Sequence, residues 1–309
     1  MDTRDTTEQG DLRHTAHRLA RELGPTTVAD LGDHARRARL ERAVRDAGWL
    51  ELRDDDGAGA GAPVATGVEA CIVAEALGAA LADTPFAGPL LAADFARRAG
   101  DHTAIVAFDR NLVAPAQPAS DDAYAVDVPH DADGAFVATD LTRSIARVQS
   151  TDQRALADDD LAQWTALGIA LTSADLVGAM QGALDLTVAY AADRRQYGVP
   201  IGSFQAVQHL LADARTLLDG SRSVALHASW AVDDLPPAVA LEAARVAKSY
   251  CVRAARMVCE TAIQVHGGIG NTWECLAHVY LRRVLLSAQW FGDDRVQLHA
   301  LAATRLGAA

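Results

Sequence analysis

The chain has 309 residues, of which 50% are hydrophobic and 22% are charged, and this composition excludes a disordered protein. Its 41 acidic and 28 basic residues leave a net charge of −13, which argues against a nucleic-acid partner. The first residues lack the apolar core of a signal peptide, no apolar run approaches the roughly 20 residues of a membrane span, and the four cysteines form no C-x-x-C pair. We therefore expect a cytoplasmic protein with no membrane contact, reduced thiols and no metal site.

Residues 1–99 are predicted to form an N-terminal helical domain. Apolar positions recur with helical spacing in four segments, which predict helices over 11–23, 29–48, 65–81 and 89–99. The glycines of the segment 54–63, DDDGAGAGAP, superficially resemble a phosphate-binding loop. Three aspartates precede these glycines where such a loop needs a buried strand, so a flexible connection is the favoured interpretation.

In residues 100–156 the helical spacing of apolar residues gives way to short β-prone runs, which predict a reduced middle β domain. Short β-prone runs, HTAIVAF, AYAVDV and GAFVATD, alternate with prolines and with a turn at 131–134. We expect about four strands, which is too small a sheet to be stable alone. The segment should therefore pack on the helices or on another subunit.

Residues 157–309 are predicted to form a C-terminal helical bundle domain. Long helices are expected over 161–193, 204–232 and 238–265, with two shorter helices after a break at 266–270. Asp158, Asp159 and Asp160 are placed to cap the first of these helices, and Ser203 is placed to cap the second. Four long antiparallel helices with short connections are typical of a bundle.

Two separated motifs carry a family resemblance. Residues 193–214, DRRQYGVPIGSFQAVQHLLADA, and residues 260–283, ETAIQVHGGIGNTWECLAHVYLRR, resemble the C-terminal helical domain of the acyl-CoA dehydrogenase family. The resemblance implies a mainly α fold with an N-terminal helical domain, a middle β domain and a C-terminal four-helix bundle. It also implies tetramers with FAD at a subunit interface, an acyl-CoA or other acyl thioester as substrate, and an electron-transfer flavoprotein as electron acceptor.

The same resemblance implies a set of FAD-binding residues. Arg194 occupies the place of the family arginine that points at the FAD of a neighbouring subunit, and a guanidinium can offer a pyrophosphate a bidentate fork. The other matching positions are Tyr197, Gln205, Gln264, Gly267 and Gly268. Taken singly, Arg194 is more often a helix-end charge, Tyr197 a core residue and the glycine pair a helix C-cap. Their joint occurrence in matching motifs favours the binding role.

The base that the family uses does not stand at either of its usual places. Acyl-CoA dehydrogenation needs a carboxylate that takes the α-proton while the β-hydrogen leaves as hydride to the flavin. The resemblance puts Phe291 where most members carry this glutamate and Gly168 where a smaller group carries it, and neither side chain can accept a proton. Carboxylates stand nearby at Asp293, Asp294 and Glu274. Asp293 is the candidate base, although a solvated helix-end acid is the commoner role for such a residue.

A second departure from the family lies in the middle segment. Residues 100–156 contain no T-E-P…G-S-D element of the type that flanks the isoalloxazine and the thioester in other members. Together with the Phe291-Gly292-Asp293 sequence, this short segment resembles the short subunit of actinobacterial α2β2 acyl-CoA dehydrogenases, notably those that act on steroid side chains. We therefore expect a subunit of an FAD-dependent dehydrogenase that oxidises a Cα–Cβ bond, with a homologous partner supplying the base.

Two alternatives stay open beside this expectation. One is a non-catalytic subunit that only completes the structure of an FAD interface. The other is a lone, homo-oligomeric enzyme of this fold with different chemistry on a natural-product thioester, which would need its own base, first of all Asp293. The acyl substrate is open in each case.

Overall fold

The computed structural model describes residues 3–58, 61–99, 106–109, 112–115, 123–128, 135–137, 139–147 and 156–307. Within these ranges the α-helices are α1 (Thr7–Leu23), α2 (His34–Asp46), α3 (Gly67–Ala79), α4 (Ala87–Ala99), α5 (Asp158–Asp193), α6 (Gln205–Asp234), α7 (Pro237–His266), α8 (Ala277–Gln289) and α9 (Asp294–Leu306). The strands are β1 (Val106–Asp109), β2 (Leu112–Pro115), β3 (Ala123–Val128), β4 (Ala135–Val137), β5 (Ser144–Arg147), β6 (Arg195–Gln196) and β7 (Val199–Pro200). Short 3₁₀ helices lie at Ala29–Gly32, Trp49–Glu51, Ile201–Ser203 and Gly267–Asn271. The mainly helical architecture agrees with the predicted fold class.

Capping residues decide where the N-terminal helices begin. A capping box of Thr6 and Gln9 starts α1 earlier than the predicted residue 11. In contrast, α2 starts only at His34, because a 3₁₀ turn precedes it and the Asp33 carboxylate caps its first turn. The helices α3 and α4 lie within two residues of the predicted bounds at each end.

The middle segment contributes a five-stranded antiparallel sheet with the order β2-β1-β3-β5-β4. The strand β3 coincides with the predicted AYAVDV run, and β1 and β4 overlap the other two predicted runs. The described residues thus hold five strands where about four were expected. Short strands such as β5 carry too few residues for a clear alternating pattern. The turn expected at 131–134 lies outside the described residues.

The bundle has three long helices and one short one. α5, α6 and α7 have 36, 30 and 30 residues and correspond to the three predicted long helices, while α8 and α9, with 13 residues each, correspond to the two predicted shorter ones. The fourth helix of the bundle is therefore short, contrary to the expectation of four long ones. The α5 helix packs against α3, α6, α7 and α8 and forms the centre of the core. Gly178 and Gly182 permit its close approach to α3, since a Cβ there would lie 2.0 Å from the Glu75 carbonyl oxygen and 2.2 Å from that of Ala79.

By length and composition α5 could cross a membrane, contrary to the expectation that no segment is apolar enough. However, 94% of its most apolar window is buried inside the protein. A helix that is apolar all round and covered on every side is a core helix.

Two predicted helix caps are not formed. The aspartates 158 to 160 lie inside the first turn of α5, where their charges still face the positive end of the helix. The hydroxyl of Ser203 donates to the Pro200 carbonyl oxygen at 2.7 Å, and α6 begins after Phe204 without a side-chain cap. The hydroxyl satisfies a local turn in preference to the helix end.

Candidate functional site

Three chain segments meet at one end of the bundle. Short connections join α5 to α6 and α6 to α7, so these helices alternate in direction. The C-terminal ends of α5 and α7 therefore lie beside the N-terminal end of α6. The rings of Tyr190 on α5 and His266 on α7 stack there, with centroids 4.4 Å apart. All six predicted FAD-binding residues lie at this end.

The hairpin that follows α5 presents Arg194 and Tyr197 to solvent. Tyr197 and Gly198 form its tip with φ values of 53° and 83°, a pair of left-handed residues that matches the twist of a tight hairpin. The Tyr197 ring is 92% exposed and meets the Phe204 ring edge-on at 6.4 Å, so it is not a core residue. Arg194 caps α5 through its N–H, which donates to the Tyr190 carbonyl oxygen at 2.8 Å, and its side chain is exposed.

The turn after α7 exposes backbone at the same end. Gly267 has φ 66° and ψ −143°, a conformation that glycine adopts far more readily than other residues. A Cβ at Gly267 or Gly268 would meet no atom within 4 Å, so a ligand can reach the backbone there. Gln264 on α7 and Gln205 on α6 are also exposed. A guanidinium, two amides, an aromatic ring and open backbone form a donor set that fits the pyrophosphate and adenosine of FAD.

Exposed apolar side chains surround this end of the bundle. They are Tyr197, Val199, Phe204, Leu210, Ile269 and Trp273, and the Trp273 side chain is 63% exposed. A concentration of exposed apolar residues with polar groups among them is typical of a surface that a ligand or another chain covers.

The two positions that the sequence predicts for the family base meet in the core. The Phe291 ring lies against the backbone of Gly168, where a Cβ would be 2.0 Å from the ring's Cζ atom. Phe291 is buried, and its ring also packs on that of Trp164 with centroids 5.6 Å apart. Its φ of 59° is unusual for a residue other than glycine. Two residues that are 123 positions apart in the sequence are thus in contact, and neither side chain can accept a proton.

Comparison with known proteins finds a family match in the C-terminal part of the chain. Residues 167–306 match the domain described as acyl-CoA dehydrogenase, C-terminal domain. The acyl-CoA dehydrogenase IpdE2 of Mycolicibacterium smegmatis is 39% identical over 165 residues, which are 53% of this chain and 50% of that protein. The chain thus spans about half the length of the curated relatives it matches.

Solved structures extend the likeness to the whole fold. Butyryl-CoA dehydrogenase from Megasphaera elsdenii superposes with a TM-score of 0.71 at 16% identity, covering 99% of this chain and 100% of that chain. A chain of the ChsE4–ChsE5 complex from Mycobacterium tuberculosis gives a TM-score of 0.70 at 21% identity, covering 100% of both chains. The acyl-CoA dehydrogenase architecture expected from the sequence is therefore confirmed.

Asp293, the candidate base predicted from the sequence, caps a helix. Its Oδ1 atom accepts from the N–H groups of Arg295 and Val296 at 3.1 and 3.0 Å, at the start of α9. Its neighbour Asp294 pairs with Arg253 at 2.7 Å. Both carboxylates thus have partners at the surface end of a helix, which is the commoner role that the sequence also allowed.

A buried polar network, which the sequence analysis missed, joins α5 to α8 and to the residue before β5. Asp175 accepts from Arg283 at 2.7 Å, from Ser287 at 2.7 Å and from Arg143 at 2.9 Å. Burial raises the pKa of Asp175, but Arg143 and Arg283 outweigh it and hold the pKa well below its usual range. A single aspartate within the apolar part of α5 was the available signal.

A fully buried lysine extends the same network. Lys248 on α7 donates from Nζ to the Thr172 hydroxyl at 3.0 Å and to the Ser287 carbonyl oxygen at 2.6 Å. Burial lowers its pKa to about 7, because the low-dielectric interior disfavours the charged ammonium. Both partners are neutral, so no carboxylate contact restores the charged form.

Little space remains beside this network. The Arg143 guanidinium lies over the Trp290 ring, 4.5 Å from its centroid. The cavity bordered by Arg143, Trp290, Phe86 and Leu171 holds about 10 Å³, room for about one water molecule. An acyl chain does not fit there in this arrangement.

Proposed function

We propose that this chain is a subunit of an FAD-dependent acyl-CoA dehydrogenase in which a homologous partner supplies the catalytic base. The observation that supports the proposal is the contact of the Phe291 ring with Gly168, since the two positions predicted for the family base meet there without a proton acceptor. Abstraction of an α-proton needs a base within hydrogen-bond reach of the substrate. In this proposal the chemistry takes place in the partner's cleft.

The filled space around Phe291, Trp164 and Trp290, the closed cleft, also supports a complex in which the partner carries out the chemistry. Phe291 and Trp164 fill the space against α5, and the cavity beside Trp290 accepts no more than about a water molecule. Asp293 is a poor base for a lone enzyme, because its carboxylate is held by two N–H donors at the start of α9. These contacts favour a helper subunit over the lone enzyme.

The exposed end of the bundle supports a role toward FAD. Bound FAD would accept the β-hydrogen of the thioester as a hydride. Arg194 would hold the pyrophosphate, while Gln264 and the open backbone at Gly267 and Gly268 would receive the adenosine half. Tyr197 and Gln205 would border the same surface. The apolar side chains around it would be covered by the cofactor and the partner subunit.

The heteromeric part of the proposal draws on one likeness. The ChsE4–ChsE5 complex contains two differently named proteins, and one of its chains has the same fold as this chain over its whole length. The substrate class we propose is an acyl-CoA or similar thioester, and the electron acceptor is an electron-transfer flavoprotein. A non-catalytic subunit that only stabilises the interface is the second candidate, favoured by the same closed cleft.

The test measures flavin absorbance per subunit in the chain alone and in its complex with a full-length homologous dehydrogenase subunit. We expect a colourless chain alone and one flavin per unlike pair in the complex. Arg194→Gln should weaken flavin retention by roughly tenfold or more, because a charge-assisted contact to the pyrophosphate is lost. Arg256→Gln, which removes an exposed i,i+4 pair on α7, is the matched control.

Turnover separates the candidates. Asp293→Asn should leave turnover of the complex intact, and loss of turnover in the complex on mutating the partner's base would assign the chemistry to the partner. A homo-oligomer with full flavin occupancy and dehydrogenase activity would overturn the proposal in favour of the lone enzyme. Flavin retention that is indifferent to Arg194→Gln would contradict the proposed FAD-binding role of this chain.

A further inference from the structure

A second concave site lies away from the flavin-binding end and the closed cleft. It is a cleft of about 360 Å³ between α1, α3, α5 and α6. The residues Val68, Ile72 and Glu75 of α3 face this cleft, whereas Ala74 and Leu77 of the same helix face the small cavity beside Trp290. Opposite faces of α3 therefore separate the two spaces, and none of the FAD-binding residues borders the larger one.

The walls and the rim of this cleft differ in chemistry. The walls are apolar and include Val68, Ile72, Ala225 and Leu226. The rim is polar and charged, with Arg13, Arg222, Glu75 and Asp5. A concave apolar site with a few convergent polar groups and a volume of about 300 Å³ or more is the usual form of a small-molecule site.

Glu75 is firmly held at the rim. It accepts from Nε and Nη2 of Arg222 at 3.0 and 2.9 Å, and its side chain is only 13% exposed. Arg13 reaches the same carboxylate at 3.5 Å, which is a long and weak contact. Arg222 is therefore satisfied within the folded helices, and Arg13 needs another partner.

That partner is a carboxylate from the segment before α1. Asp5 accepts from Nε and Nη2 of Arg13 at 2.7 and 3.1 Å, in the forked geometry that a guanidinium offers any carboxylate. The hydrogen bond raises the pKa of Arg13 and lowers that of Asp5. The two side chains are 30% and 31% exposed, and ion pairs of that exposure hold weakly because water and salt compete for both charges.

We infer that this cleft binds a small apolar molecule with one carboxylate, whose carboxylate replaces Asp5 on Arg13 while its hydrocarbon part lies against Ile72 and Leu226. The charges of the rim favour this class of ligand. Two arginines face two carboxylates, so departure of Asp5 leaves one positive charge that a single carboxylate neutralises. His17 also borders the cleft, and burial lowers its pKa, so it stays uncharged at neutral pH.

The test is calorimetric titration of the full chain with octanoate, and with octan-1-ol and octylamine as probes of the same length and different charge. Octanoate should bind more tightly than either analogue. Arg13→Gln should weaken octanoate binding by roughly tenfold or more, because hydrogen bonds to a charged group are lost. Asp5→Asn should tighten it several-fold, because the competing carboxylate is gone.

Two controls keep the outcome decisive. Arg256→Gln, on the outer face of α7, should leave octanoate binding unchanged, and thermal unfolding of each variant establishes that it is folded. Weaker binding to Asp5→Asn, equal binding to Arg13→Gln, or no binding of octanoate to Asp5→Asn at millimolar concentration would each overturn the inference. Flavin content is not a readout, so failure here leaves the proposed function untouched.

Discussion

The space against α5 at Gly168 is occupied by the Phe291 ring, at the place where the sequence predicts the base of a dehydrogenase cleft. A glycine at 168 and a phenylalanine at 291 are complementary, since the ring occupies the volume that any side chain at 168 would need. Phe291 holds this position with a left-handed backbone, and Gln297 donates from Nε2 to its carbonyl oxygen. The Phe291 ring is therefore packed closely into the core.

Gly168→Ala tests that fit. The added methyl would lie 2.0 Å from the Phe291 ring, and we expect overpacking to lower the free energy of unfolding by about 1–3 kcal/mol. Urea denaturation measures the change, and Gly168→Ala combined with Phe291→Leu should recover part of it. Gly10→Ala is the control, because a Cβ at that half-buried helical site meets nothing within 4 Å and should stabilise slightly. A neutral Gly168→Ala would contradict the packed contact.

Lys248 makes a prediction about pH. Its pKa is about 7 in the fold and near its ordinary value of 10.5 when unfolded, so the unfolded chain binds more protons between these limits. The contribution of Lys248 to the free energy of unfolding therefore rises as the pH increases from about 7 to 10.5, and it is lowest below pH 7. Lys248→Met should remove this rise, which amounts to several kcal/mol.

The measurement is the difference between the pH profiles of unfolding free energy for the Lys248→Met variant and the unsubstituted chain. The buried thiol of Cys251 titrates in the opposite sense, because burial raises its pKa to about 12, and the difference between profiles cancels its contribution. Parallel profiles would mean that Lys248 stays charged in the fold.

At the scale of elements, caps and breaks decide where helices start and which groups remain free for chemistry. The start of α9 holds the carboxylate that the sequence offered as a base, and the glycine break after α7 opens backbone toward solvent. The start of α9 therefore uses the Asp293 carboxylate as a cap, whereas the end of α7 leaves several backbone groups open to solvent. The same physics of unsatisfied terminal N–H and C=O groups operates at both ends.

Asp293→Ala distinguishes a cap from a base. Loss of the two N–H contacts at α9 should lower the free energy of unfolding by about 0.5–2 kcal/mol. Chemical denaturation measures this cost, and turnover of the assembled complex should persist at unchanged rate. Asp294→Ala, which removes an exposed pair with Arg253, should cost less. Abolished turnover in a folded Asp293→Ala variant would reinstate Asp293 as the base.

At the scale of the whole molecule, buried ion pairs tie the N-terminal helices to the bundle. Arg53 follows α2, is fully buried, and contacts Asp94 on α4 and Asp233 at the end of α6, each at 3.0 Å. The same carboxylate of Asp233 accepts from the N–H of Gly67 at the start of α3. One arginine thus connects three helices and one loop that are distant in the sequence.

Arg53→Met tests how much the stability of the fold depends on this connection. Removal of the guanidinium takes the arginine partner from Asp233 and leaves the buried Asp94 with Arg97 and Arg98, so we expect a loss of about 2–3 kcal/mol in the free energy of unfolding. Thermal and urea unfolding measure the loss, and limited proteolysis should cut first in the N-terminal helices. Arg256→Gln on the surface should change stability by less than about 0.5 kcal/mol. Equal stability of the two variants would contradict a structural role for Arg53.

The sequence by itself determined the mainly helical class, the approximate bounds of most helices and the resemblance of the C-terminal motifs to a known family. These properties rest on periodicity, glycine and proline breaks and short motifs, all of which are local in the chain. It also pointed to Phe291 and Gly168 separately. The roles of the predicted FAD-binding residues remain predictions, although Arg194, Tyr197 and the glycine turn lie at one exposed end.

Only the tertiary structure decided which distant residues meet. The contact of Phe291 with Gly168, the pairing of Asp175 with Arg283, and the surface position of Tyr197 depend on how helices pack, and no local pattern encodes them. Ser203 illustrates the same limit on a smaller scale, because two acceptable hydrogen-bond partners compete and the turn geometry selects one. Packing brings together groups that are far apart in the chain, and their combined fit, which is a property of the folded state, determines whether a cleft is open or filled.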